Sequence, residues 1–290
     1  MAISQKIKKQ LKELKKEYDS LKIGKESLLT IVNDAEIPEN VYNSNAIENS
    51  TLTLKETEKI LLEMEVERDL NLREVFEAKN LARVSEYIHK KSDEKEIDQE
   101  LILLLHQMLI GGINDDIAGR FRQAGEYVRV GTHIAPPPER IEIEITNALS
   151  NQLDSEKYFL DRVVKFHLDF ETTHPFNDGN GRIGRVLINY QLLRLGYPVV
   201  IIPFKGREKY YEALQYFNLK NSNTTKMEGI FTLALLESMH KRITYLKGQK
   251  IISLSEYAKQ INKSVPTVFN SARRQTVPAF REKGVWKIGK

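Results

Sequence analysis

The sequence predicts a mainly α-helical protein with one short β-hairpin in its middle and a small helix-turn-helix unit at its C-terminus. Three observations lead to this expectation. Apolar residues recur at helical spacing over most of residues 1–245. A segment at 121–131, rich in glycine and β-forming residues, interrupts them. A polar break at 247–250 then separates the final 40 residues.

Composition narrows the class of protein. The chain has 290 residues, 41% of them hydrophobic, which is enough for one or two domains with real cores. It has no cysteine, so disulfides and thiolate metal sites are excluded and a reducing compartment fits. The longest apolar run, Leu101–Leu105, is far shorter than the roughly 20 residues that span a bilayer. We therefore expect a soluble, cytoplasmic protein that neither spans nor binds a membrane.

Residues 1–95 are predicted to be a helical region. Its first helix carries an apolar stripe bordered by lysines, which indicates a helix packed on the body of the protein rather than on a membrane. The stripe consists of Ile7, Leu11, Leu14, Tyr18 and Leu21. Further helical patterns cover 41–48, 55–67 and 70–90.

The middle of the chain, residues 96–246, is expected to hold most of the remaining helices. An apolar helix over 101–110 ends at Gly111 and Gly112, since glycine commonly follows a helix. The segment 121–131 predicts a short hairpin, which the prolines at 136–138 stop. Helices are then predicted over 139–152, 158–172, 181–195, 207–220 and 226–245.

Residues 250–290 resemble small winged helix-turn-helix modules of the excisionase or MerR type. Residues 254–268 predict helix, turn and helix around Ala258, Ile261 and Val265, and 280–288 predict a wing that turns at Gly284. Five basic side chains of this unit are candidates for phosphate contacts with DNA: Arg273, Arg274, Arg281, Lys283 and Lys287. A packing or dimerising appendage explains the unit equally well, so DNA and a homodimer both stay open as partners.

The segment 174–185, which reads HPFNDGNGRIGR, contains the most specific chemistry. Gly179 and Gly181 lie where a loop becomes a helix, and the free N–H groups of a helix N-terminus bind anions. Arg182 and Arg185 are three residues apart and project from one face of that helix. Two guanidinium groups above such an amide nest favour a polyphosphate over a single carboxylate.

Two further residues of this segment supply reactive groups. Asp178 lies at the edge of the nest, where a carboxylate can hold Mg²⁺ against phosphate oxygens. His174 precedes the nest and has the one side chain there with a near-neutral pKa, so it is the candidate general base.

This segment matches the Fic motif H-P-F-x-[D/E]-G-N-[G/K]-R-x-x-R at every defined position, and the surrounding 40–240 resemble the same family. His167 and Phe170 stand at the family's preceding H-x-x-F, and 118–137 resemble its flap hairpin. The resemblance implies a Fic-type helical core that binds ATP and Mg²⁺. The implied nucleotide-binding residues are Val130, Gly131, Thr132, His133, Asp178, Gly179, Asn180, Gly181, Arg182, Ile183, Gly184, Arg185, Tyr210, Tyr211 and Asn218.

The family also implies a reaction. His174 deprotonates a Ser, Thr or Tyr hydroxyl of a target protein that docks on the flap, and this hydroxyl attacks the α-phosphorus of ATP. Asp178 holds the Mg²⁺ ion, Arg185 holds the γ-phosphate, and pyrophosphate leaves. Related toxins that transfer a phosphoryl group carry Lys at the position of Gly181, so this glycine favours AMP transfer.

An inhibitory motif of the family, [S/T]-x-x-x-E-[G/N], matches 44–49, which read SNAIEN. Ser44 and Glu48 are four residues apart, so the hydroxyl can steady the carboxylate on one helical face. Glu48 is expected to pair with Arg185 and thereby to displace the γ-phosphate from its partner. The leading expectation is therefore an autoinhibited protein adenylyltransferase that also modifies itself. A deadenylylase using the same site, or a DNA-binding regulator that senses ATP, remains the alternative.

Overall fold

A computed structural model describes residues 3–66, 70–131, 133–220 and 222–290. The N-terminal helices are α1 (Gln5–Lys22), α2 (Glu26–Ile47), α3 (Leu54–Glu58), continued by a π-helical turn (Lys59–Glu63), and α4 (Leu72–Lys91). The middle region contains α5 (Gln99–Ile110), β1 (Arg129–Val130), β2 (His133–Ile134), α6 (Ile141–Gln152), α7 (Phe159–Thr173), α8 (Asn180–Arg194), α9 (Arg207–Leu219) and α10 (Thr225–Leu246). The C-terminal unit contains β3 (Ile251–Ser253), α11 (Leu254–Gln260), α12 (Val265–Arg273), β4 (Ala279–Glu282) and β5 (Val285–Gly289). The mainly α-helical class predicted from the sequence is confirmed.

Helix α1 packs on the protein body through the predicted stripe. The Ser4 hydroxyl caps its start by accepting a hydrogen bond from the N–H of Ile7. Leu11 and Tyr18 are buried, and the other stripe residues pack around them in the cluster that also contains α10. Because the stripe is covered by protein, the apolar face of α1 is part of the core.

Helix α2 is longer than the predicted helix over 41–48. It begins at Glu26 and continues through Pro38, although proline is disfavoured inside a helix. Pro38 is buried, and Glu36 beside it pairs with Lys241 and Arg242 of α10. Tertiary packing on both sides of the proline therefore carries the helix past it. The predicted helix over 55–67 is shorter than expected, since Met64 ends it with a left-handed backbone (φ 59°).

Helices α7 and α8 form the centre of the protein. Each contributes buried residues to two hydrophobic clusters, one shared with α1, α9 and α10 and the other with α4, α5 and α6. The loop that joins α7 to α8 contains the sequence 174–179 and is therefore held from both sides. The candidate site consequently rests on two helices that both contribute to the core.

The hairpin predicted over 121–131 is misplaced. The strands are β1 and β2, which pair Arg129 with Ile134 and Val130 with His133 around a turn at 131–132. Residues 121–128 instead form a loop around the buried guanidinium of Arg122, which donates to the carbonyls of His174, Glu126 and Pro136 at 2.8 Å each. Three backbone acceptors for one arginine fix this segment as a loop.

The C-terminal unit contains two short helices, α11 and α12, and a small sheet, while its assignment to the winged helix-turn-helix modules stays a prediction. Its sheet has the order β3-β5-β4, all antiparallel, and Gly284 makes the wing turn with φ 75°. Ala258 is fully buried and Val265 packs against the same small core, but Ile261 is 38% exposed, so its predicted core role is wrong. Ile261 caps the C-terminus of α11, where the chain turns away from that core. Among the described residues, no helix is long and apolar enough to cross a membrane.

Candidate active site

The loop between α7 and α8 is built around two residues. Asn180 bridges the loop, because its side chain accepts from the N–H of Phe176 at 2.9 Å and donates to the carbonyl of the same residue at 2.8 Å. Phe176 is fully buried and stacks on His106 with ring centroids 3.7 Å apart. The amide side chain of Asn180 is therefore committed to the loop, and its main-chain N–H is what it offers to a ligand.

The N-terminus of α8 has the geometry of an anion site. Gly179 precedes the helix with φ 81°, and no side chain caps the first turn. A Cβ atom on Gly181 would lie 2.1 Å from the Glu48 Oε1 atom, so only glycine admits that carboxylate. Ile183 is fully buried, and its N–H bonds to the Gly179 carbonyl. Ile183 therefore contributes to the core, and the nest is formed by the amides before it.

His174 caps the C-terminus of α7 with a left-handed backbone (φ 47°). Its Nδ1 atom is buried and has no hydrogen-bond partner in the described structure. Burial lowers the pKa of His174 to about 4, with nearby Arg122 adding to the effect. The imidazole is therefore neutral at pH 7 and able to accept a proton, as a general base requires.

Arg185 is bound by the end of α2. Its Nε atom donates to the Ser44 hydroxyl at 3.0 Å, and its Nη2 atom donates to the Ser44 carbonyl at 2.8 Å and to the Glu48 Oε1 atom at 2.9 Å. Arg185 is 7% exposed, and its Nη1 atom is buried without a partner. One buried cation thus bonds a carboxylate through one nitrogen and has another nitrogen without a hydrogen-bond partner among the described residues.

Arg182 and Asp178 belong to a ring of four charges that includes α4. Arg182 pairs with Asp178 at 3.0 Å and with Glu77 at 3.1 Å, while Arg73 pairs with Glu77 at 3.1 Å and also with Asp178. These four residues line a cavity of about 520 Å³ beside Glu48. The ring joins the predicted site to a helix that sequence reasoning did not connect with it.

Asp178 suits Mg²⁺ as a single-carboxylate ligand. Among the described residues, no group of three or more His, Cys, Asp or Glu could hold a metal by itself. Mg²⁺ commonly binds through one or two carboxylates together with substrate phosphates, so one acid beside an amide nest fits it.

The other residues predicted to contact the nucleotide lie around this loop and differ in how deeply their side chains are buried. Tyr210 is 1% exposed and its hydroxyl bonds to His167 at 2.7 Å, so it supports the site from the core. Tyr211 donates to the Ile47 carbonyl at 2.8 Å, directly before Glu48. Asn218 accepts from Thr172 at 2.9 Å. A Cβ atom on Gly184 would lie 2.4 Å from a Glu171 carboxylate oxygen, so this glycine allows close packing of α8 on α7.

The flap hairpin is attached to the end of α7, close to His174 in the sequence. His133 donates from Nε2 to the Thr172 carbonyl at 2.9 Å, which attaches the hairpin to α7. Val130 and Gly131 are exposed on the hairpin. Thr132, which the family resemblance also implies as a contact, lies outside the described residues.

His106 is a positioning residue that sequence reasoning missed. The N–H of Gly119 donates to its Nδ1 atom at 3.0 Å, so its Nε2 atom carries the proton and donates to the Asp178 carbonyl at 3.0 Å. Burial lowers the pKa of His106 to about 4, which keeps it in this neutral form. Its signal in the sequence was a single histidine in the largely apolar helix over 101–110.

Comparison with known sequences agrees with this geometry. Residues 96–192 match the model of the Fic/DOC family. A protein adenylyltransferase Fic from Aedes aegypti is 34% identical over 186 residues, which are 62% of this chain and 37% of that protein. One from Nematostella vectensis is 34% identical over 188 residues, or 62% of this chain and 43% of that protein. This chain thus matches less than half of each relative's length.

Comparison with solved structures supports the fold over a longer range. Fic-1 (residues 134–508) from C. elegans has a TM-score of 0.72 and 26% identity, covering 83% of this chain and 71% of that one. A Fic domain containing signaling protein from Bacteroides thetaiotaomicron has a TM-score of 0.74 and 24% identity, covering 83% of this chain and 97% of that one. The fold shared with both therefore extends well beyond the residues that match the family model.

Proposed function

We propose that this chain, whose residues 96–192 match the model of the Fic/DOC family, is an autoinhibited protein adenylyltransferase. It transfers AMP from ATP to a Ser, Thr or Tyr hydroxyl of a target protein and modifies itself as well. Relatives named protein adenylyltransferase support the reaction type. The observation that carries the proposal is the neutral His174 beside an uncapped helix N-terminus with two arginines on its face.

In the proposed reaction, His174 takes the proton of the incoming hydroxyl while its oxygen attacks the α-phosphorus. The bond from that phosphorus to the bridging oxygen breaks, and pyrophosphate leaves with the electron pair. The amides of Asn180 and Gly181 and the guanidinium of Arg185 neutralise the phosphate charge, while Gly179, also predicted as a phosphate contact, has its N–H bonded to Asp178. This is mainly positioning and electrostatic stabilisation, as in other phosphoryl transfers. Mg²⁺, held by Asp178, supplies further charge neutralisation when bound.

Autoinhibition is supported by the contact between Glu48 and Arg185. The carboxylate bonds the guanidinium at 2.9 Å and lies against Gly181, where the first turn of α8 begins. A γ-phosphate and this carboxylate compete for the same cation. The bound nucleotide is then displaced from the position for in-line attack, which keeps the resting enzyme slow.

The intact mass of the protein after incubation with each nucleoside triphosphate and Mg²⁺ tests this function. We expect a gain of one AMP with ATP, strongest in the Glu48→Gly variant, and none with Glu48→Gly/His174→Ala. Loss of a general base costs a factor of roughly 10²–10⁴. No gain of AMP in any variant, or a gain that survives loss of His174, would contradict the proposal.

The reverse reaction is a second candidate because Glu48 is a partly exposed carboxylate, 33% accessible, next to the phosphate nest. A carboxylate in that place can activate water against an AMP group on a target hydroxyl. Incubation of AMP-modified protein with wild-type enzyme, followed by intact mass, separates the two directions. The cytoplasm as location, docking of the target on the flap, a homodimer and the division into 1–95, 96–246 and 250–290 remain part of this proposal.

A further inference from the structure

The two oxygens of Asp178 have different partners. Oδ1 accepts from the N–H of Gly179 and, at 3.0 Å, from Arg182. Oδ2 accepts from Arg73 at the start of α4. One oxygen is therefore fixed by the loop that forms the phosphate nest, and the other is bound by a cation from a different part of the chain.

We propose that Arg73 holds the place of the metal at Asp178 Oδ2 and leaves it when Mg²⁺ enters with the nucleotide. This inference rests on the proposed function. Arg73 lies 105 positions before Asp178 in the sequence. In this proposal, it sets the Mg²⁺ concentration at which the site is half-occupied. A guanidinium and a metal ion are both cations, so they repel each other and compete for the same carboxylate oxygen.

The burial of the two arginines determines which of them gives up its contact with Asp178. The Arg182 side chain is 4% exposed and is held by Glu77 as well as Asp178, whereas the Arg73 side chain is 51% exposed. An exposed ion pair is weak, so a divalent ion can replace it at low cost. Arg182 stays in place and keeps Oδ1 oriented while Oδ2 changes partner.

The position of Arg73 on its helix makes release easier still. It is the second residue of α4, and a cation near a helix N-terminus is disfavoured by the helix dipole. Glu77, one turn later, bonds the Arg73 Nε atom at 3.1 Å and remains its partner after the swap. Arg73 therefore loses its contact with Asp178 and keeps its contact with Glu77 on the surface of α4.

The test measures nucleotide binding rather than turnover, in the Glu48→Gly chain so that the inhibitory carboxylate does not interfere. A fluorescent ATP analogue that cannot be cleaved between the α- and β-phosphates is titrated with Mg²⁺. We expect Arg73→Gln to lower the Mg²⁺ concentration at half-maximal binding by roughly two- to fivefold, the range of a half-exposed ion pair. Arg73→Lys, which keeps the charge, should stay near the parent.

Arg83→Gln is the matched control. It also removes one positive charge from α4, but Arg83 lines a different cavity from Arg73. A midpoint for Arg73→Gln that equals the parent, rises above it, or moves equally in Arg83→Gln would overturn the inference. Equal melting temperatures exclude a folding defect. Failure of the analogue to bind the parent with and without Mg²⁺ would instead contradict the proposed function.

Discussion

At the scale of single residues, the proposed autoinhibition depends on one buried arginine that has several hydrogen-bond acceptors. Arg185 binds the Ser44 hydroxyl, the Ser44 carbonyl and Glu48, and it still has one unpartnered buried nitrogen. A charge-assisted contact of this kind is strong when it is shielded from water. The proposed competition between this carboxylate and a γ-phosphate therefore depends on groups of α2, its C-terminal cap and α8.

Replacing Glu48 by glycine should free Arg185 for the γ-phosphate. We expect Glu48→Gly to raise auto-modification by roughly one to three orders of magnitude, since each 1.4 kcal/mol of preference changes the productive population about tenfold. ATP affinity should change much less, because the contacts to adenine and the inner phosphates persist. Incorporation of radiolabelled ATP measures this, and Glu48→Gly/Arg185→Ala should return it to near zero. A Glu48→Gly rate no higher than wild type would make Glu48 an ordinary carboxylate.

The pKa of His174 gives a second prediction at this scale. Burial lowers it to about 4, below its ordinary value of 6.5, so the ring stays neutral as the pH falls from 7 to 5. Histidine ring resonances in an NMR titration, assigned with His174→Ala, should show no protonation of His174 in that window. A midpoint near 6.5 would show that the ring is solvated and that its burial does not set the protonation state.

At the scale of elements, the flap offers one free edge. Arg129 stands opposite Ile134 between the pair Val130–His133 and the hydrogen bond from the Ala135 N–H to the Val128 carbonyl. In an antiparallel pair the hydrogen-bonded positions alternate, so the N–H and carbonyl of Arg129 point away from β2. That edge can accept an extended segment of a target by main-chain hydrogen bonds.

Arg129→Pro should therefore impair modification of a target protein while nucleotide binding stays near wild type. Proline removes the outward N–H and leaves the bonds inside the hairpin intact. Arg129→Ala is the control, because it loses the side chain and keeps the N–H. Labelling of a target peptide and binding of the ATP analogue are measured on the same preparations. Equal losses in Arg129→Pro and Arg129→Ala would assign the effect to the side chain instead.

The same elements show what the sequence can and cannot predict. The motif over 174–185 located the nest and its arginines because their geometry is local: a loop, two glycines and one helix turn. The ring of Arg73, Glu77, Asp178 and Arg182 was missed because it depends on how α4 packs beside α8. The hairpin was misplaced because the buried contacts of Arg122 outweigh the β-forming residues around it.

At the scale of the whole molecule, the C-terminal unit is attached to α2, the helix that Glu48 follows. The carboxylate of Glu39 in α2 accepts from the N–H groups of Lys283 and Gly284 in the wing turn, at 2.9 and 3.0 Å. Three of the five basic residues considered for DNA are engaged within the protein: Arg281 with Glu237, Lys283 with Glu58 and Lys287 with Glu282. The wing thus contacts α2, whereas Arg273 and Arg274 on α12 remain exposed.

This attachment predicts that the C-terminal unit influences autoinhibition. Glu39 lies nine residues before Glu48 at the end of the same helix, so a loosened wing should weaken the hold of Glu48 on Arg185. Loss of a charged acceptor that leaves two amides unpaired costs about 1–3 kcal/mol. Glu39→Ala should therefore lower the melting temperature by several degrees and raise auto-modification up to about tenfold.

A double-mutant cycle separates coupling through Glu48 from general destabilisation. If the wing acts through α2, Glu39→Ala adds nothing to auto-modification in the Glu48→Gly chain, because the inhibitory carboxylate is already gone. Glu256→Ala is the matched control. Glu256 belongs to the capping box of α11, so its loss weakens the same C-terminal unit without removing a contact to α2. It should lower the melting temperature and leave auto-modification unchanged. An increase of the same size in Glu39→Ala and Glu256→Ala, or one that persists in Glu48→Gly, would show that the wing contact supports the fold alone.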